Sequence, residues 1–477
     1  MSRPSFDDAC TKIVATVGPA CNQPDQLAEL INAGVDVFRI NTAHGSRKQH
    51  EQTLTNIRAA SQQSGFPAGV LLDLAGPKIR LGQLVTDPMQ CEDDMTLKFV
   101  RGNNSDSPTT LTSTYDRLVD ELEVGGRVML ADGTVELVVE EVTPDHAVCR
   151  VTAGGIVRSR QGINLPGTKL SVPAMLPRDI DNAIWAAQKA IDFVSLSFVR
   201  SPADIVQLRE LLEQHRSSAL IVAKIEKPEA LQCLEEIVDA TDAVMVARGD
   251  LGVEIDVAET PVAQKRIIRV CKAKMKPVIV ATQMLESMQH HSRPTRAEAS
   301  DVANAILDGA DACMLSGETA IGDHPVRVVK MMSRIMKATE KEMLRDHAAM
   351  HLSTNRVHPI TSAVTEAATD IAESIKARLI VIATRSGSTA WVKSNSRSLI
   401  PTLGASVTPE TLRRMNLMWG IKPIQASQLD DTQHFIDEMC RWGRKHMSLK
   451  TGDQIVFVTG TGVVEKAHNM VVVHTVE

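Results

Sequence analysis

A lysine and two acidic residues follow two apolar segments that are close together in the sequence. Lys224 and Glu226 end the segment VAKIE, and Asp250 follows the segment AVMVARG. If both segments are neighbouring parallel strands, their carboxyl ends meet at one edge of a sheet, and the three side chains converge there. A glutamate and an aspartate offer oxygen ligands to a hard divalent cation, which keeps its other positions for water or substrate phosphate. The lysine beside them suits an anionic substrate.

The elements that would position these residues form a regular alternation. Apolar segments predict eight strands, at Lys12–Val17, Val35–Asn41, Gly69–Asp73, Asp192–Phe198, Leu220–Ile225, Ala243–Arg248, Pro277–Thr282 and Ala312–Ser316. Amphipathic patterns predict helices at Asp25–Ala33, Ser46–Gln63, Pro202–Gln214, Pro228–Asp239, Pro261–Lys274, Thr295–Leu307 and Val326–Leu344. Eight strand–helix units that close on themselves indicate an α/β fold of the TIM (β/α)8 barrel type.

Two further units interrupt and follow this alternation. After the third strand, a long region rich in Gly, Pro, Thr and Val is typical of a small all-β domain. We expect a barrel domain at 1–76 and 173–346, an inserted β lid domain at 77–172, and a C-terminal α/β domain at 347–477. Because the insert follows the carboxyl end of a barrel strand, it lies on the catalytic face and can act as a lid.

The C-terminal region carries its own helix and strand patterns. The predicted helices are Ala363–Lys376, Pro409–Trp419 and Asp431–Met447, and the predicted strands are Leu379–Thr384, Ile421–Ala426, Ile455–Thr459 and Met470–His474. We expect these elements to form a second α/β unit.

The composition sets the class of protein. The chain has 477 residues, of which 43% are hydrophobic and 23% are charged, and its formal net charge is −6. This length exceeds what one hydrophobic core supports, so we expect several domains. An acidic balance without a basic run argues against nucleic-acid binding. We expect a cytoplasmic protein that does not bind a membrane, because no apolar run could span a bilayer and the N-terminus lacks a signal pattern. Eight scattered cysteines indicate reduced thiols.

Polar residues recur where the predicted barrel strands end. In order along the chain they are Arg39 and Asn41, Asp73, Ser197, Lys224 and Glu226, Asp250, Thr282, and Ser316 and Glu318. Any one of them could be a helix cap or a turn residue. Their repetition at the carboxyl ends of successive strands indicates an active site, because TIM barrels place their catalytic residues there.

Several segments resemble the pyruvate kinase family, in the order that the family has them. They are TKIVATVGPA (11–20), FRINTAHG (38–45), LLDLAGPKIRLG (71–82), GINLPG (162–167), KIEKPEA (224–230), MVARGDLGVEI (245–255), ATQMLESM (281–288), RPTRAEASDVANAILDGADACMLSGETA (293–320) and GDHPV (322–326). The resemblance implies phosphoryl transfer from phosphoenolpyruvate to ADP, which gives pyruvate and ATP. It also implies a homotetramer.

The resemblance assigns roles to the residues at the strand ends. Lys224 neutralises the phosphoryl group in flight, Arg39 grips the phosphate, and Ser197 belongs to the substrate site. Glu226 and Asp250 hold the Mg²⁺ or Mn²⁺ that bridges the carboxylate and phosphate of the substrate. These roles suit the chemistry, since phosphoryl transfer is catalysed mostly by positioning and by cationic stabilisation.

Transfer leaves enolpyruvate, which must gain a proton at carbon. By the resemblance, Thr282, Ser316 and Glu318 form the polar group near that carbon, and a water relay suits them because serine and threonine are poor acids alone. Thr282 also lies in the substrate site. The backbone at Gly249 and Asp250, at a helix start, would bind the substrate carboxylate through unpaired amides.

The nucleotide side carries two assigned residues and one departure from the family pattern. By the resemblance, His44 and Arg80 lie against ADP, although His44 could also be an ordinary helix-entry residue. Gln161, before Gly162, replaces a lysine that the family usually directs at the nucleotide phosphate. This departure leaves open how the lid contacts ADP, but it does not affect the expected reaction.

A second departure concerns the monovalent cation. Potassium-requiring members resemble DTKGPEIR where this chain has DLAGPKIR (73–80), and they usually have a serine at Ala43. Asn41 and Asp73 of the potassium pattern persist, while Lys78 replaces the glutamate. We expect the Lys78 ammonium to lie near Asn41 and Asp73 as an internal cation, so that potassium is not required.

The loop TRSGST (384–389) resembles the family's effector loop. Its hydroxyls and glycine follow a strand and precede a helix, a geometry that suits phosphate. The expected contacts are Thr384, Ser386, Gly387, Ser388 and Thr389. Residues 459–469 are shorter than the corresponding loop of members regulated by fructose 1,6-bisphosphate. A sugar monophosphate or AMP is therefore the expected allosteric effector.

Two other classes of function use parts of the same pattern. A metal-dependent lyase acting on an oxoacid in a similar barrel could use Glu226 and Asp250, but it would not need the lid or the pair of Arg39 and Lys224. A non-catalytic metabolite sensor would not need Lys224 together with both acids. Formation of pyruvate with and without ADP separates all three classes.

Overall fold

Eight parallel strands form a closed barrel in a computed structural model that describes residues 8–102, 105, 107–168, 170–343, 359–459 and 470–477. The strands are Lys12–Thr16, Val37–Asn41, Gly69–Asp73, Phe193–Leu196, Leu220–Ile225, Ala243–Ala247, Val278–Ala281 and Ala312–Leu315. Each lies within a segment that the apolar pattern predicts, so the predicted TIM barrel is confirmed. Within the described residues, every helix is too short or too polar to span a lipid bilayer.

The barrel strands are buried on both faces, which explains their nearly continuous apolar sequence. Inward side chains such as Val14, Phe193 and Met245 fill the barrel, and residues of the opposite parity pack against the surrounding helices. Polar side chains are largely confined to the ends of the strands, because few are tolerated between these two apolar layers. The architecture therefore concentrates chemistry at the carboxyl edge.

The helices around the barrel follow the predicted order. They are Pro24–Ala33, Arg47–Ser64, Pro177–Gln188, Pro202–Gln214, Pro228–Gln232, Leu234–Ala240, Arg248–Glu254, Thr260–Ala273, Arg296–Asp308, Gly317–Ala320 and Pro325–Met343, with a 3₁₀ turn at Glu286–Gln289. The single helix predicted at Pro228–Asp239 is wrong. It is two helices, because Cys233 leaves helical geometry with φ −115° and ψ 37°.

The insert after the third strand is all-β apart from one short helix, Leu118–Glu121. Its strands are Met89–Cys91, Thr96–Val100, Thr110–Leu111, Arg127–Leu130, Val135–Val142, His146–Ala153, Gly155–Val157 and Ile163–Asn164. Six of them form one sheet around a separate apolar core. The two chain connections to the barrel meet at a bridge between Arg80 and Gly162.

The C-terminal unit is a five-stranded sheet with helices. The strands are Leu379–Ala383, Thr402–Ser406, Ile421–Gln425, Gln454–Thr459 and Met470–Thr475, and the helices are Pro359–Ser374, Ser388–Asn395, Pro409–Met415 and Thr432–Met447. The strand Thr402–Ser406 is not predicted from the sequence TLGAS. Gly404 is required there because a Cβ would lie 2.5 Å from the sulfur of Met415.

This unit packs against the barrel where the strands begin, away from the carboxyl edge. The Lys12 ammonium donates to the carbonyl of Ile421 at 2.6 Å, and the Arg413 guanidinium pairs with Asp192 at 2.7 Å. Lys12 starts the first strand and Asp192 precedes the fourth. The C-terminal unit therefore leaves the carboxyl edge of the barrel open.

Candidate active site

Asp73, at the end of the third strand, is where two cations of the site meet. Its Oδ2 accepts from Arg39 Nε at 2.9 Å, and its Oδ1 accepts from Ser195 Oγ at 2.6 Å and lies 3.5 Å from Lys224 Nζ. Burial alone would raise the pKa of Asp73, but Lys224 and Arg39 outweigh it and lower the pKa to about 2. The carboxylate is therefore ionised and holds both cations at one place.

Lys224 is a buried but charged lysine. Its ammonium lies 2.8 Å from Glu226 Oε1 and donates to Ser197 Oγ at 2.7 Å, and the Ser197 hydroxyl in turn donates to the Leu74 carbonyl. Burial disfavours the charge, but the carboxylates of Asp73 and Glu226 outweigh it and raise the pKa of Lys224. Ser197 is predicted to bind substrate, but its hydroxyl accepts a hydrogen bond from Lys224 and so orients that ammonium.

Glu226 and Asp250 are the predicted metal ligands. Glu226 is fully buried, and its Oε2 accepts from the Phe198 amide at 2.7 Å. Its Oε1 is close to Lys224 but accepts no hydrogen bond of good geometry. Burial raises the pKa of the Glu226 carboxyl, Lys224 opposes that rise, and the negative charge of Asp250 adds to it. A buried oxygen without a hydrogen bond, beside a second carboxylate, fits a divalent cation.

Lys78, the predicted internal cation, contacts one of the predicted metal ligands. Its ammonium lies 3.3 Å from Asp250 Oδ1, whereas Asp73 is occupied by Arg39, Lys224 and Ser195. The contact that the structure shows is with Asp250, and the expected proximity of Lys78 to Asn41 and Asp73 stays a prediction. Lys78 lies on the segment that has already turned toward the lid, and its stem packs over Gly162. From there the ammonium reaches across the site to Asp250.

Thr282 has an unusual backbone conformation directly after the seventh strand. Its φ is +68°, in the left-handed region that β-branched residues rarely adopt. This turn directs the hydroxyl to the Ala281 carbonyl, to which it donates at 2.6 Å, and the hydroxyl accepts from the Gly249 amide at 2.8 Å. The prediction of an unpaired amide at Gly249 is therefore wrong, because Thr282 already binds it.

Ser316 and Glu318 lie after the eighth strand with different surroundings. Both oxygens of the buried Glu318 accept backbone hydrogen bonds, from Leu285 at 3.1 Å and from Ser316 at 2.7 Å. Burial raises the pKa of the Glu318 carboxyl against these hydrogen bonds. Among the described residues, the Ser316 hydroxyl has no partner within hydrogen-bond distance. Glu318 thus fixes the loop, and Ser316 carries the free hydroxyl.

His44 lies among cations at the end of the second strand. Burial lowers the pKa of His44, and the positive charges of Arg80, Arg39, Lys78 and Arg178 lower it further. Arg80 also donates to the Arg160 carbonyl of the lid at 3.0 Å. A group of four cations around one neutral imidazole suits a polyphosphate, since each charge attracts the anion.

The loop 384–389 has the predicted place between the strand Leu379–Ala383 and the helix Ser388–Asn395. The Gly387 amide donates to Thr384 Oγ1 at 2.9 Å, and the hydroxyls of Ser386 and Ser388 lie 3.0 Å apart. Thr389 is buried. The Gly387 amide is thus already paired, and the two serines are exposed. Most of the segment 459–469 lies outside the described residues.

The sequence did not identify three residues that position the site. Ser195 binds Asp73, Thr16 accepts from Arg39 Nη1 at 3.0 Å, and Arg178 donates to the Thr42 carbonyl at 2.7 Å. Ser195 is two residues before Ser197 in the predicted strand Asp192–Phe198, so both side chains are expected on the same face. This two-residue spacing is the sequence signal that could have identified Ser195.

Three comparisons relate the chain to known proteins. The family models "Pyruvate kinase, barrel domain" and "Pyruvate kinase, alpha/beta domain" match residues 9–329 and 362–474. A pyruvate kinase of Mycobacterium intracellulare is 41% identical over 449 residues, which are 94% of each chain. One of Corynebacterium efficiens is 41% identical over 466 residues, which are 97% of each chain. The crystal structure of a pyruvate kinase from Cryptosporidium parvum superposes with a TM-score of 0.91 at 33% identity, over 99% of this chain and 97% of that one.

These matches agree with the arrangement at the carboxyl edge of the barrel. Cations converge on Asp73, a carboxylate lies beside Lys224, and Asn164 of the inserted β domain contacts Glu254 near the same edge. The family models cover both the barrel and the C-terminal unit, and the relatives cover nearly the whole chain. The chain therefore belongs to the pyruvate kinase family.

Proposed function

We propose that the chain transfers the phosphoryl group of phosphoenolpyruvate to ADP and so forms pyruvate and ATP, the last step of glycolysis. The observation that carries this is the meeting of Arg39 and Lys224 on Asp73, beside the carboxylates of Glu226 and Asp250. In the reaction the bond between phosphorus and the enol oxygen breaks, and a β-phosphate oxygen of ADP forms the new bond. The enol carbon then takes a proton.

Lys224 and Arg39 are the groups that stabilise the phosphoryl group in transit. Negative charge accumulates on its equatorial oxygens, and cations that are already fixed need no rearrangement at that moment. Asp73 and Ser197 fix Lys224, while Asp73 and Thr16 fix Arg39. Because the pKa of Lys224 is raised, it is charged throughout the physiological pH range.

The proton reaches enolpyruvate through the loops after the seventh and eighth strands. Thr282 donates its only hydroxyl hydrogen to a backbone carbonyl, so it must rotate before it can donate elsewhere. Ser316 has a hydroxyl without a partner in the described part of the chain, and Glu318 holds its backbone. We therefore assign the last position of a water relay to Ser316 and a positioning role to Glu318.

Glu226 and Asp250 would hold Mg²⁺ or Mn²⁺. In the part of the chain that the structure describes, no group of three or more His, Cys, Asp or Glu side chains could hold a metal ion. Two carboxylates would leave the remaining positions to water and to substrate oxygens, as is usual for Mg²⁺. Such an ion supplies positive charge beside the carboxylate and phosphate of the substrate.

A coupled assay that follows pyruvate, with and without ADP, tests the proposal. We expect pyruvate to form only when ADP is present, in equal amount with ATP. An oxoacid lyase would form its product without ADP, and a metabolite sensor would form none. Either result would refute the proposed reaction.

The remaining assignments concern organisation and regulation. We place the barrel domain at 1–76 and 173–346, the lid at 77–172 and a regulatory domain at 347–477, in a cytoplasmic homotetramer.

The loop 384–389 binds a sugar monophosphate or AMP, because Ser386 and Ser388 present exposed hydroxyls at the start of a helix. Titration of glucose 6-phosphate and AMP against the substrate saturation curve tests this. Ser386→Ala should abolish the response, and no response in the wild type would refute the site.

We expect the enzyme to work without potassium, because Lys78 supplies a cation inside the site. Its contact with Asp250 places the positive charge beside the proposed substrate site. A lysine is covalently attached, so, unlike a free potassium ion, it does not have to bind before each turnover. Initial rates at fixed ionic strength in potassium and in tetramethylammonium salts should agree within about twofold, since general screening is then equal. Strong activation by potassium would contradict the prediction.

Substitution of Lys78 gives a second test of the same idea. Lys78→Glu should lower activity in tetramethylammonium salts, and potassium should restore part of it. Lys189→Glu is the matched control, because Lys189 is an exposed lysine remote from the site. Equal losses in both variants would mean that net charge, and not the position of Lys78, determines the effect.

A further inference from the structure

A large open cleft lies between the barrel and the C-terminal domain, at the face opposite the active site. Its volume is about 590 Å³. The barrel contributes the end of the helix Arg47–Ser64 and residues 65–67, and the C-terminal domain contributes the strand Ile421–Gln425 and the helix Thr432–Met447. We call it the interdomain cleft. It has the size of a small-molecule site and belongs to none of the sites described above.

The described lining of the interdomain cleft carries basic side chains. Among the residues that the structure describes, its lining includes five basic residues and no aspartate or glutamate: Arg58, Arg413, Lys422, Lys445 and His446. Arg58 and Arg413 both form ion pairs with Asp192, and Lys422 pairs with Asp8. Lys445 is exposed and has no acidic partner among the described residues. The wall that carries Lys445 therefore attracts anions.

The same wall presents aromatic surface. The rings of Trp442 and His446 stack with centroids 4.8 Å apart and an interplanar angle of 26°. Burial lowers the pKa of His446, and the charge of Lys445 lowers it further, so the imidazole is neutral near pH 7. Phe66 and Leu412 extend the apolar lining. A planar ring can therefore pack here while its charged group reaches Lys445.

We propose that the interdomain cleft binds a metabolite that carries a phosphate group on an aromatic ring system. Lys445 would bind the phosphate, and Trp442 with its apolar neighbours would pack against the ring. The described part of the lining offers no carboxylate to a cation, and phosphate alone would lack the contact with the ring of Trp442. Both parts of the ligand are thus needed for binding.

The barrel helix at this cleft connects it to the nucleotide side. The helix Arg47–Ser64 has 18 residues, which corresponds to about 27 Å. Arg58 and Ser61 line the cleft, while Ser46 caps the other end, two residues after His44. Occupation of the cleft should therefore change the KM for ADP. This second effect rests on the proposed function, whereas binding itself does not.

Isothermal titration calorimetry with 1-naphthyl phosphate tests the binding site on the full-length protein. We expect saturable binding, with 1-naphthol and inorganic phosphate each at least about tenfold weaker, because each lacks one of the two contacts. Lys445→Glu and Trp442→Ala should each weaken 1-naphthyl phosphate about tenfold or more. Because Lys445 is exposed, its substitution leaves folding intact even if Trp442→Ala does not fold.

Two control variants separate this site from others. Lys450→Glu reverses the charge of an exposed lysine five residues further along the chain, and Ser386→Ala alters the effector loop. Both should bind 1-naphthyl phosphate as the wild type does. The proposal is overturned if Lys445→Glu also binds as the wild type, or if neutral 1-naphthol binds equally well. If 1-naphthyl phosphate binds but the KM for ADP does not change, only the connection through the helix is refuted.

Discussion

Lys224→Met should lower kcat by about 100- to 1000-fold, the usual effect of removing one preorganised group that stabilises transition-state charge. The KM for phosphoenolpyruvate should change by less than about threefold, since Arg39 still binds the ground-state phosphate. The physical reason is that the ammonium is fixed by Asp73 and Ser197 and meets the greatest negative charge only during transfer. Steady-state kinetics at saturating ADP measure both quantities.

A matched control distinguishes this role from a loss of stability. Lys227 is a second buried lysine, and its ammonium pairs with Glu254 at 2.7 Å. Lys227→Met also leaves a buried carboxylate without its cation, so both variants should unfold at lower temperature. Only Lys224→Met should lose most of its turnover. Equal losses of kcat in both variants would assign the effect of Lys224 to folding.

The barrel could be predicted because its signal is local. A strand such as Val278–Ala281 is buried on both faces, so its sequence VIVA has no polar interruption, and the residue that follows is the first that can carry chemistry. The same logic identified Thr282, Lys224 and Asp73 before any geometry was known. The resemblance to a family then assigned their roles. Strand ends are therefore the part of the site that a sequence of this class reveals.

Contacts made across the barrel could not be predicted in this way. The direction of Lys78 depends on where the chain turns toward the inserted domain, and no local pattern encodes its contact with Asp250. The pairing of the Gly249 amide depends on the left-handed backbone of Thr282, 33 residues away. Each case joins residues that are far apart in sequence. Such contacts are determined by packing and not by periodicity.

Glu226→Gln and Asp250→Asn should each raise the Mg²⁺ concentration needed for half-maximal activity by at least about tenfold, which is the lower limit seen even for residues behind the ligands. Each substitution replaces an anionic oxygen by a neutral amide and so removes Coulomb attraction for the ion. Glu226 should have the larger effect, because its Oε1 is buried and accepts no hydrogen bond in the structure. Titration of Mn²⁺ into the free protein, followed by electron paramagnetic resonance, measures affinity without turnover.

Glu254→Gln is the control for this last experiment. Glu254 is also a buried carboxylate near the barrel edge, but its Oε1 already accepts from Lys227 and from Asn164 of the lid. An oxygen with two hydrogen bonds has little to offer a cation, so the affinity for Mn²⁺ should not change. If Glu254→Gln weakened Mn²⁺ as much as Glu226→Gln, the general negative potential of the edge would hold the ion. The specific pair of Glu226 and Asp250 would then lose its role.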